Sequence, residues 1–460
     1  MKKFLKWAAV AAVVIVAVLA IVYRAVNRVP SENLTPSERV LAIFEDGGCV
    51  SCHSENPKLP FYAELPVMGK IVKQDSDSGY RAFDIVAMNE ALKSGSSVHP
   101  VDLAKVEKVV LDGRMPMAKY YLVHWGSSLT RAKTDVVLDW AWETRRTMYD
   151  DAVCEALATE PVRPIDLVIE TDPLKVALGK ALFFDTRLSV DNTISCSSCH
   201  GLNTGGVDNE QYSDGVGGQL GGVNAPTVYN AYYNFVQFWD GRAATLADQA
   251  AGPPLNPVEM ACESFDEIVA KLAADKEFSK AFCAVYPQGL SQETITDAIA
   301  EFEKTLITPD SRFDLYLKGD ETAVTAEELN GYSLFKKYDC ATCHVGKNLG
   351  GLSYEPMGLR ADYFGDRGLE LTNEDNGRYK ETSLERDRHR FKVPGLRNVE
   401  LTWPYFHDGT RATLEEAVRD MAIYQTGVTI KDSEVADITA FLKTLTGKID
   451  GKYLTNDNAE

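Results

Sequence analysis

The stretch Cys196-Ser197-Ser198-Cys199-His200 is one of three Cys-x-x-Cys-His motifs in the chain, and the other two begin at Cys49 and Cys340. This spacing is the attachment signature of c-type haem, in which two thiols form thioethers to the porphyrin and the adjacent histidine binds the iron. A zinc site usually needs a second Cys or His pair at regular spacing, and none recurs here. The motifs predict three covalent haem c groups. The attaching thiols are Cys49, Cys52, Cys196, Cys199, Cys340 and Cys343, and the iron-binding histidines are His53, His200 and His344.

The length and charge of the chain narrow its class. Its 460 residues are enough for two to four domains, and its formal net charge is −19. Because nucleic-acid phosphates would be repelled by such an acidic protein, we expect no nucleic-acid partner.

The N-terminus predicts a membrane anchor over residues 1–25. Three lysines, the last of them Lys6, precede an apolar run from Trp7 to Tyr23, which is about long enough to cross a bilayer. The alternative is a cleaved signal peptide ending near Ala20, but the apolar run continues beyond that point. Since basic residues favour the cytoplasmic side, the predicted location is the inner membrane with the rest of the chain in the periplasm.

Helix signals dominate the remainder, so the predicted fold is mainly α. Capping boxes at Thr35–Glu38 and Thr325–Glu328 each open an amphipathic stretch that runs into a haem motif. Further helical patterns occupy Tyr80–Lys93, Leu103–Leu111, Arg131–Tyr149, Phe265–Ala274, Glu277–Cys283, Gln292–Leu306 and Ser433–Leu445.

An internal repeat organises the last two thirds of the chain. Seven residues recur at one constant offset without a gap: Pro226, Asn230, Phe238, Asp240, Gly241, Thr245 and Leu246 return as Pro394, Asn398, Phe406, Asp408, Gly409, Thr413 and Leu414. The repeat predicts three cytochrome c-like haem domains, of which the last two are duplicates. Their expected bounds are 33–150, 162–312 and 320–450.

The two duplicates differ in their predicted sixth iron ligand. Met421, in a helical stretch after His407, is the natural sixth ligand of the His344 haem iron. A thioether ligand favours reduced iron and raises its reduction potential. The repeat offset carries Met421 onto Pro253, which cannot ligate iron. The His200 haem is therefore expected to have an open face that binds a small ligand.

Two polar residues are candidates for chemistry at that open face. Gln249 and Glu259 follow the His200 motif, and a carboxylate beside such a haem can move a proton between the two oxygens of a peroxide. The alternative is that Glu259 is a surface residue of a Pro-rich loop. The Gly-rich stretch Gly201–Val223 is predicted to be a mobile loop over the haem or a disordered insertion.

From Leu178 to Leu445 the chain resembles the bacterial dihaem cytochrome c peroxidases. The matching stretches are Leu178–Leu188, Asn224–Thr227, Phe238–Arg242, Val258–Met260 and Tyr405–Gly409. With the anchor and the extra haem, the whole chain resembles the trihaem, membrane-anchored YhjA-type quinol peroxidases.

The resemblance implies roles for individual residues. The His200 haem would reduce hydrogen peroxide, with Gln249 and Glu259 handling peroxide and protons. The His344 haem would transfer electrons through Trp239, the aromatic bridge between the haems. Asn224, with the carbonyl groups of Thr402 and Pro404, would hold one Ca²⁺ between the domains.

One departure from the family pattern concerns activation. Many dihaem relatives carry a histidine in the Gly-rich loop that caps the peroxidatic iron until reduction removes it. The aligned residue here is Val216. We therefore expect a peroxidatic haem that is high-spin and ready to react as isolated.

The first haem domain resembles a small class I cytochrome c. Met115 is the favoured sixth ligand of its iron, because a methionine beside a proline in a loop is typical of such folds. Met117 is next. The other candidates are Met68, His99 and His124.

The electron donor and the assembly state are predicted only by resemblance. An anchor and an extra haem suggest membrane quinol, and a small periplasmic cytochrome or cupredoxin is the alternative. Dihaem relatives are often homodimers.

Two other functions compete with that of a peroxidase. A MauG-like oxidase uses the same dihaem core to modify a protein, but there a tyrosine replaces the electron-transfer methionine, so Met421 argues against it. A non-catalytic electron-transfer protein would need six-coordinate iron throughout. Separately, Cys262 and Cys283 bracket two short helical patterns and are candidates for a disulfide.

Overall fold

The computed structural model describes residues 2–121 and 123–457. The chain forms two compact units, Met1–Asp150 and Asp151–Glu460. Both are built mainly from α-helices, and the strands are short. The prediction of a mainly α fold is confirmed.

Unit 1 contains the N-terminal helix and the first haem motif. Its helices are α1 (Lys2–Val26), α2 (Pro36–Gly47), α3 (Pro66–Ala82), α4 (Val86–Ser94), α5 (Pro100–Leu111), α6 (Ala118–Tyr121) and α7 (Arg131–Met148). The capping box at the start of α2 forms as expected, since Glu38 N donates to Thr35 Oγ1 at 3.2 Å and Thr35 N donates to Glu38 Oε2 at 2.8 Å. The core lies where α2 packs against α4 and α7.

Helix α1 is long and apolar enough to cross a membrane, with a mean hydropathy of 2.7 over its most apolar window. Asn27, directly after it, is buried and fixes the chain to the haem domain of unit 1. Its Nδ2 donates to Trp125 O at 2.7 Å, and its Oδ1 accepts from Ser128 N at 3.0 Å.

The single helix expected over Tyr80–Lys93 is wrong. The chain leaves the helical path at Phe83, between α3 and α4, and the Phe83 carbonyl lies 3.0 Å from His53 Nδ1. A carbonyl committed to a helix would not be available to that imidazole. Most of α3 was not expected from the sequence.

Unit 2 holds the two duplicated halves. The first half contains α8 (Pro173–Phe183), α9 (Cys196–Cys199), α10 (Leu246–Ala250), α11 (Gly252–Leu255), α12 (Phe265–Ala274), α13 (Lys276–Val285) and α14 (Gln292–Glu303). The second half contains α15 (Arg312–Leu317), α16 (Ala326–Lys337), α17 (Tyr363–Asp366), α18 (Tyr379–Thr382), α19 (Leu414–Met421) and α20 (Asp432–Lys443). Apart from Tyr80–Lys93, the predicted helices match within three residues at each end.

The strands of unit 2 form two small antiparallel pairs. They are β1 (Tyr354–Pro356) with β2 (Arg390–Lys392), and β3 (Lys448–Ile449) with β4 (Lys452–Tyr453). In the first pair Tyr354 lies opposite Lys392.

The backbone confirms the repeat. Asn230 and Asn398 have φ of 62° and 61°, and Phe238 and Phe406 have φ of 66° and 74°. A positive φ is uncommon for residues other than glycine, so its recurrence at equivalent positions is specific. Both asparagines also bond the buried hydroxyl of Thr308, with Nδ2–Oγ1 distances of 2.8 Å and 3.0 Å.

Candidate functional site

The three Cys-x-x-Cys-His motifs adopt the same turn. The backbone N–H of each histidine donates to the carbonyl oxygen of the first cysteine of its motif, at 3.0 Å in all three cases. This turn places both thiols and the imidazole of each motif on one short loop.

Each motif histidine is oriented by a backbone carbonyl at its Nδ1. His53 Nδ1 lies 3.0 Å from Phe83 O, His200 Nδ1 lies 3.4 Å from Gly206 O, and His344 Nδ1 lies 2.8 Å from Leu349 O. Because a carbonyl oxygen can only accept, Nδ1 carries the proton and the Nε2 lone pair is left for a metal. Burial also lowers the pKa of all three imidazoles, which keeps them neutral as an iron ligand must be.

The thiols of the motifs also fit covalent haem attachment. Burial raises the pKa of Cys49, Cys196 and Cys340 to about 12. Thiols that stay protonated are weak nucleophiles, so these cysteines do not resemble the exposed, low-pKa thiols of redox centres. This shared geometry defines a protein of the c-type haem class.

A partly open cavity adjoins His200. It brings together three residues that the sequence singled out: Gln249, Pro253 and Glu259. The rest of its wall is formed by Ile194, Ser195, Cys196, Cys199, Ser213, Asp214, Gly215, Ala250, Pro254, Val258, Met260, Ile299 and Glu303. Glu259 therefore lines the cavity beside His200 and is not a residue of the outer surface.

The carboxyl group of Glu259 is held in place and largely desolvated. Its Oε1 accepts a hydrogen bond from Asn256 Nδ2 at 2.6 Å. Burial raises the pKa of Glu259, while the nearby Arg242 guanidinium and the Asn256 bond oppose that rise. A carboxyl that is not held firmly in its ionised form can both accept and return a proton.

The Gly-rich stretch Gly201–Val223 is folded against the rest of unit 2 and forms one wall of the cavity. Val216 N donates to the Glu259 carbonyl at 2.9 Å, and a Cβ at Gly215 would overlap the Val258 carbonyl oxygen. Asn209 Nδ2 donates to Trp403 O at 2.9 Å. The alternative of a disordered insertion is wrong, because the segment bonds to both halves of the repeat.

Met421 and Trp239 pack against the same buried cluster of the second half, formed by Met357, Tyr363, Phe364 and Phe391. Met421 is the last residue of α19. Hydrogen bonds hold both the side chain and the backbone of Trp239. Its indole Nε1 donates to Asn224 O at 2.9 Å, and its backbone carbonyl accepts from Lys392 N at 2.8 Å.

The residues of the predicted calcium site lie on two segments that touch. Asn224 is buried, its backbone N–H donates to His407 O at 2.8 Å, and its Nδ2 donates to Glu210 O at 2.9 Å. The second segment carries Thr402 and Pro404, a few residues before His407. With its Nδ2 engaged, Asn224 retains Oδ1 as the acceptor that a hard cation would use.

A buried cluster of charged residues lies beside Trp239, and no pattern in the sequence predicted it. Arg367 contacts Asp375 at 2.8 Å and Asp408 at 2.7 Å, and His407 Nε2 lies 2.9 Å from Asp375. Although burial opposes it, the bonds from His407 and Arg367 hold the pKa of Asp375 below its usual range. The Arg367 guanidinium contacts both carboxylates and supplies a positive charge between them, which is the arrangement of a structural ion-pair network. The Tyr405–Gly409 motif was the only signal for it.

The candidates for the sixth ligand of the first haem differ in their surroundings. Met115 and Met117 are half-buried, whereas Met68 and His99 are exposed. His124 is already engaged, because its Nε2 lies 3.1 Å from the Tyr62 hydroxyl and its ring stacks on Tyr120.

The two cysteines considered for a disulfide are free thiols. Cys262 is buried and its Sγ donates to Leu188 O at 3.3 Å, while Cys283 is exposed on α13. The predicted pairing is wrong, because the Cys262 side chain is buried against Leu188 whereas the Cys283 side chain is exposed.

Comparisons with known proteins agree with the geometry. The family model described as di-haem cytochrome c peroxidase matches residues 173–322, and the model described as haem-binding domain matches residues 12–143. The chain is 49% identical over 422 residues to the cytochrome c peroxidase Ccp of Escherichia coli (strain K12), covering 91% of this chain and 90% of that protein.

Two further similarities concern the core. The chain is 48% identical over 293 residues to the cytochrome c551 peroxidase of Nitrosomonas europaea, covering 63% of this chain and 85% of that protein. The crystal structure of a MauG-like protein associated with microbial copper homeostasis aligns with a TM-score of 0.54 at 29% identity, over 63% of this chain and 93% of that chain. The chain belongs to the bacterial dihaem cytochrome c peroxidase family, extended by an N-terminal haem-binding domain, and it is a cytochrome c peroxidase.

Proposed function

We propose that this peroxidase carries three haem c groups and reduces hydrogen peroxide to water at the His200 haem. The observation that carries the proposal is the cavity at His200, in which Gln249 and Glu259 face the space where Pro253 stands in place of a ligating methionine. Haem c, when bound there, supplies the iron that takes up peroxide and passes electrons to it.

The side chains of the cavity supply the proton chemistry. Glu259 accepts a proton from one peroxide oxygen and returns it to the other, so that the departing group is water and not hydroxide. The bond from Asn256 keeps the carboxyl in one orientation during both transfers. Gln249 positions peroxide in the same cavity.

Electrons would reach this cavity from two relay haems. We assign Met421 as the sixth ligand at the His344 haem and Met115 at the His53 haem, since thioether ligation suits electron transfer. Trp239, packed on the same cluster as Met421, would bridge the two haems of unit 2. The proposed domain bounds are 33–150, 162–312 and 320–450.

The donor is proposed to be membrane quinol, with a small periplasmic cytochrome or cupredoxin as the alternative. Helix α1 supports an inner-membrane anchor with the enzyme in the periplasm. Exposed apolar side chains on the same unit support a surface close to the bilayer, since Phe61 is 83% and Val67 74% exposed. Peroxide-dependent oxidation of a short-chain quinol, compared with that of reduced cytochromes and copper proteins, distinguishes the donors.

Two accessory features complete the proposal. Asn224 with the carbonyls of Thr402 and Pro404 would hold one Ca²⁺, and a homodimer is the assembly that dihaem relatives suggest. Calcium titration of the chelated holoprotein tests the first, and light scattering of the detergent-solubilised protein tests the second.

The test of the peroxide site is Glu259→Gln, with Glu263→Gln as the matched control on an exposed position of the same segment. We expect Glu259→Gln to keep all haems but lose at least about 100-fold in turnover, the range of a lost acid–base group. The control should behave as wild type. Turnover of Glu259→Gln within a few-fold of wild type would refute the acid–base role.

A further inference from the structure

Glu303 is a carboxyl group of the His200 cavity to which the proposed reaction has assigned no role. It is the last residue of α14, is 6% exposed and lines the cavity together with Gln249 and Glu259. Within the described residues, its Oε2 is buried and has no hydrogen-bond partner. A buried, unpaired carboxyl is expensive, so an apolar residue would be expected here if the position served packing alone.

The second half of the repeat shows what that apolar residue is. Helices α14 and α20 are equivalent, because each crosses its partner helix where a glycine leaves no room for a Cβ. A Cβ at Gly179 would overlap the carbonyl of Ala298, and a Cβ at Gly331 would overlap that of Asp437.

This equivalence fixes the counterpart of Glu303. The offset from Ala298 to Asp437 carries Glu303 onto Leu442, which is 3% exposed in the core of the second half. It also carries the neighbouring residues onto identical ones: Ile299, Phe302, Lys304, Thr305 and Leu306 match Ile438, Phe441, Lys443, Thr444 and Leu445. The same fold position therefore holds leucine at the relay haem and glutamate at the peroxide haem.

The surroundings of Glu303 disfavour the ionised form of its carboxyl. Burial raises the pKa of Glu303 to about 8, and no charged group contributes to the shift, although α14 packs against α8 and α10. The titratable groups that share the cavity with it are Cys196, Cys199, His200, Asp214 and Glu259.

The overall reaction needs a proton source that Glu259 does not provide. Hydrogen peroxide takes two electrons and two protons and gives two waters. Glu259 moves a proton from one peroxide oxygen to the other and returns to its starting state, so it contributes no net proton. Both protons that are consumed must enter the cavity with the electrons.

We propose that Glu303 is a second proton carrier of the His200 cavity, delivering one of the two protons consumed as peroxide is reduced and regaining it from solvent. The O–H bond of its carboxyl breaks as the proton leaves for the oxygen that becomes water. The resulting carboxylate is reprotonated from solvent, and the electrons come from the donor of the peroxidase reaction. The inference rests on the proposed assignment of peroxide chemistry to the His200 cavity.

The experiment uses full-length holoprotein and four variants. Glu303→Leu installs the residue of the other half, Glu303→Gln keeps the shape without an acidic proton, and Glu303→Asp keeps the acid. Glu293→Gln is the control, an exposed carboxyl at the start of the same helix. The measurements are peroxide turnover with a reduced dye between pH 6 and 9, thermal unfolding, and the pH dependence of the midpoint potential of the cyanide-binding haem.

We expect Glu303→Leu and Glu303→Gln to lose about tenfold or more in turnover and to flatten the pH dependence of the potential, because the carboxyl that takes up a proton with the electron is gone. Glu303→Asp should retain both properties, and Glu293→Gln should match wild type. The thermal midpoint of Glu303→Leu should equal or exceed that of wild type, since it removes a buried unpaired carboxyl.

Three outcomes would overturn the inference. Unchanged turnover and unchanged pH dependence in Glu303→Leu would show that the carboxyl carries no proton. A lower thermal midpoint in Glu303→Leu, with wild-type behaviour in Glu303→Gln, would show that it only fills space. If the oxidised wild-type protein failed to bind cyanide, no haem would have an open coordination position. That result would contradict both the proposed function and this inference.

Discussion

The two halves of unit 2 share a backbone but carry different side chains at a few equivalent positions. Met421 in the second half corresponds to Pro253 in the first, and Leu442 corresponds to Glu303. The positive-φ residues Asn230 and Asn398 show that the scaffold itself has been kept. The comparison teaches that one duplicated fold accommodates different side chains at equivalent positions, and the proposed function assigns the difference between relay and reaction to these few side chains.

The largest effect is expected when the first half receives the methionine that the second half carries at the equivalent position. In Pro253→Met, a thioether enters the cavity at His200 and should convert an open, high-spin haem to a low-spin one. We expect nearly all peroxide turnover to be lost, measured together with the absorption spectrum of the oxidised protein. Pro257→Met, an exposed position in the same loop, is the control. A variant that stays high-spin and active would mean that position 253 does not face the iron.

A second test concerns a buried ion pair that only the second half contains. Arg397 Nη2 contacts Asp314 at 2.8 Å with both side chains fully buried, whereas the repeat places Tyr229 at the equivalent position in the first half. Asp314→Asn leaves the guanidinium without its counter-charge and should cost about 3–5 kcal/mol in the free energy of unfolding.

The matched control for this ion pair is Asp310→Asn. It removes a more exposed pair with Lys318, at 2.8 Å, and should cost at most about 1 kcal/mol. Denaturant unfolding of both variants gives the comparison. Equal costs would show that the burial of Arg397 adds nothing to the stability of the second half.

A third test changes the predicted sixth ligand of the His344 haem in the second half. Met421→His replaces a thioether with an imidazole, which should lower the midpoint potential of the His344 haem by on the order of 0.1 V, because the thioether favours reduced iron. Spectroelectrochemical titration measures the shift, and Met357→Leu in the same cluster is the control. An unchanged potential would assign the sixth ligand to another residue.

The smallest expected effect is on the acidic side of the pH profile. Glu259 must be ionised to accept a proton, and burial raises its pKa, so kcat/KM should fall as the pH drops through a midpoint above the ordinary glutamate range. Because Arg242 opposes that rise, Arg242→Met should move the midpoint to higher pH. Arg419→Met, on the half-exposed face of α19, should leave it in place. A midpoint that moves down in Arg242→Met would contradict the charge assignment.

Much of the fold and of the cavity could be predicted from the sequence, because the informative signals are local. The haem motifs, the capping box at Thr35 and the constant repeat offset each involve residues a few positions apart or a direct copy. The offset alone identified Pro253, and the order of motifs identified Glu259, both of which line the cavity.

The parts that were missed depend on contacts across long separations. Glu303 looks like an ordinary polar position of an amphipathic helix until the packing of α14 on α8 shows that it faces inward. Arg367 and Asp375 lie in irregular segments, and the residues that complete their cluster, His407 and Asp408, come more than thirty residues later. The helix break at Phe83 leaves the Phe83 carbonyl free to bond His53 Nδ1, thirty residues earlier in the chain.

Thr308 lies between the halves, and its hydroxyl is shared by Asn230 and Asn398. A duplication normally supplies each copy with its own set of partners, but here one side chain serves both. Separating the two halves would therefore take the Thr308 hydroxyl away from one of the two asparagines. A substitution of Thr308 would therefore disturb the hydrogen bonds of both halves at once.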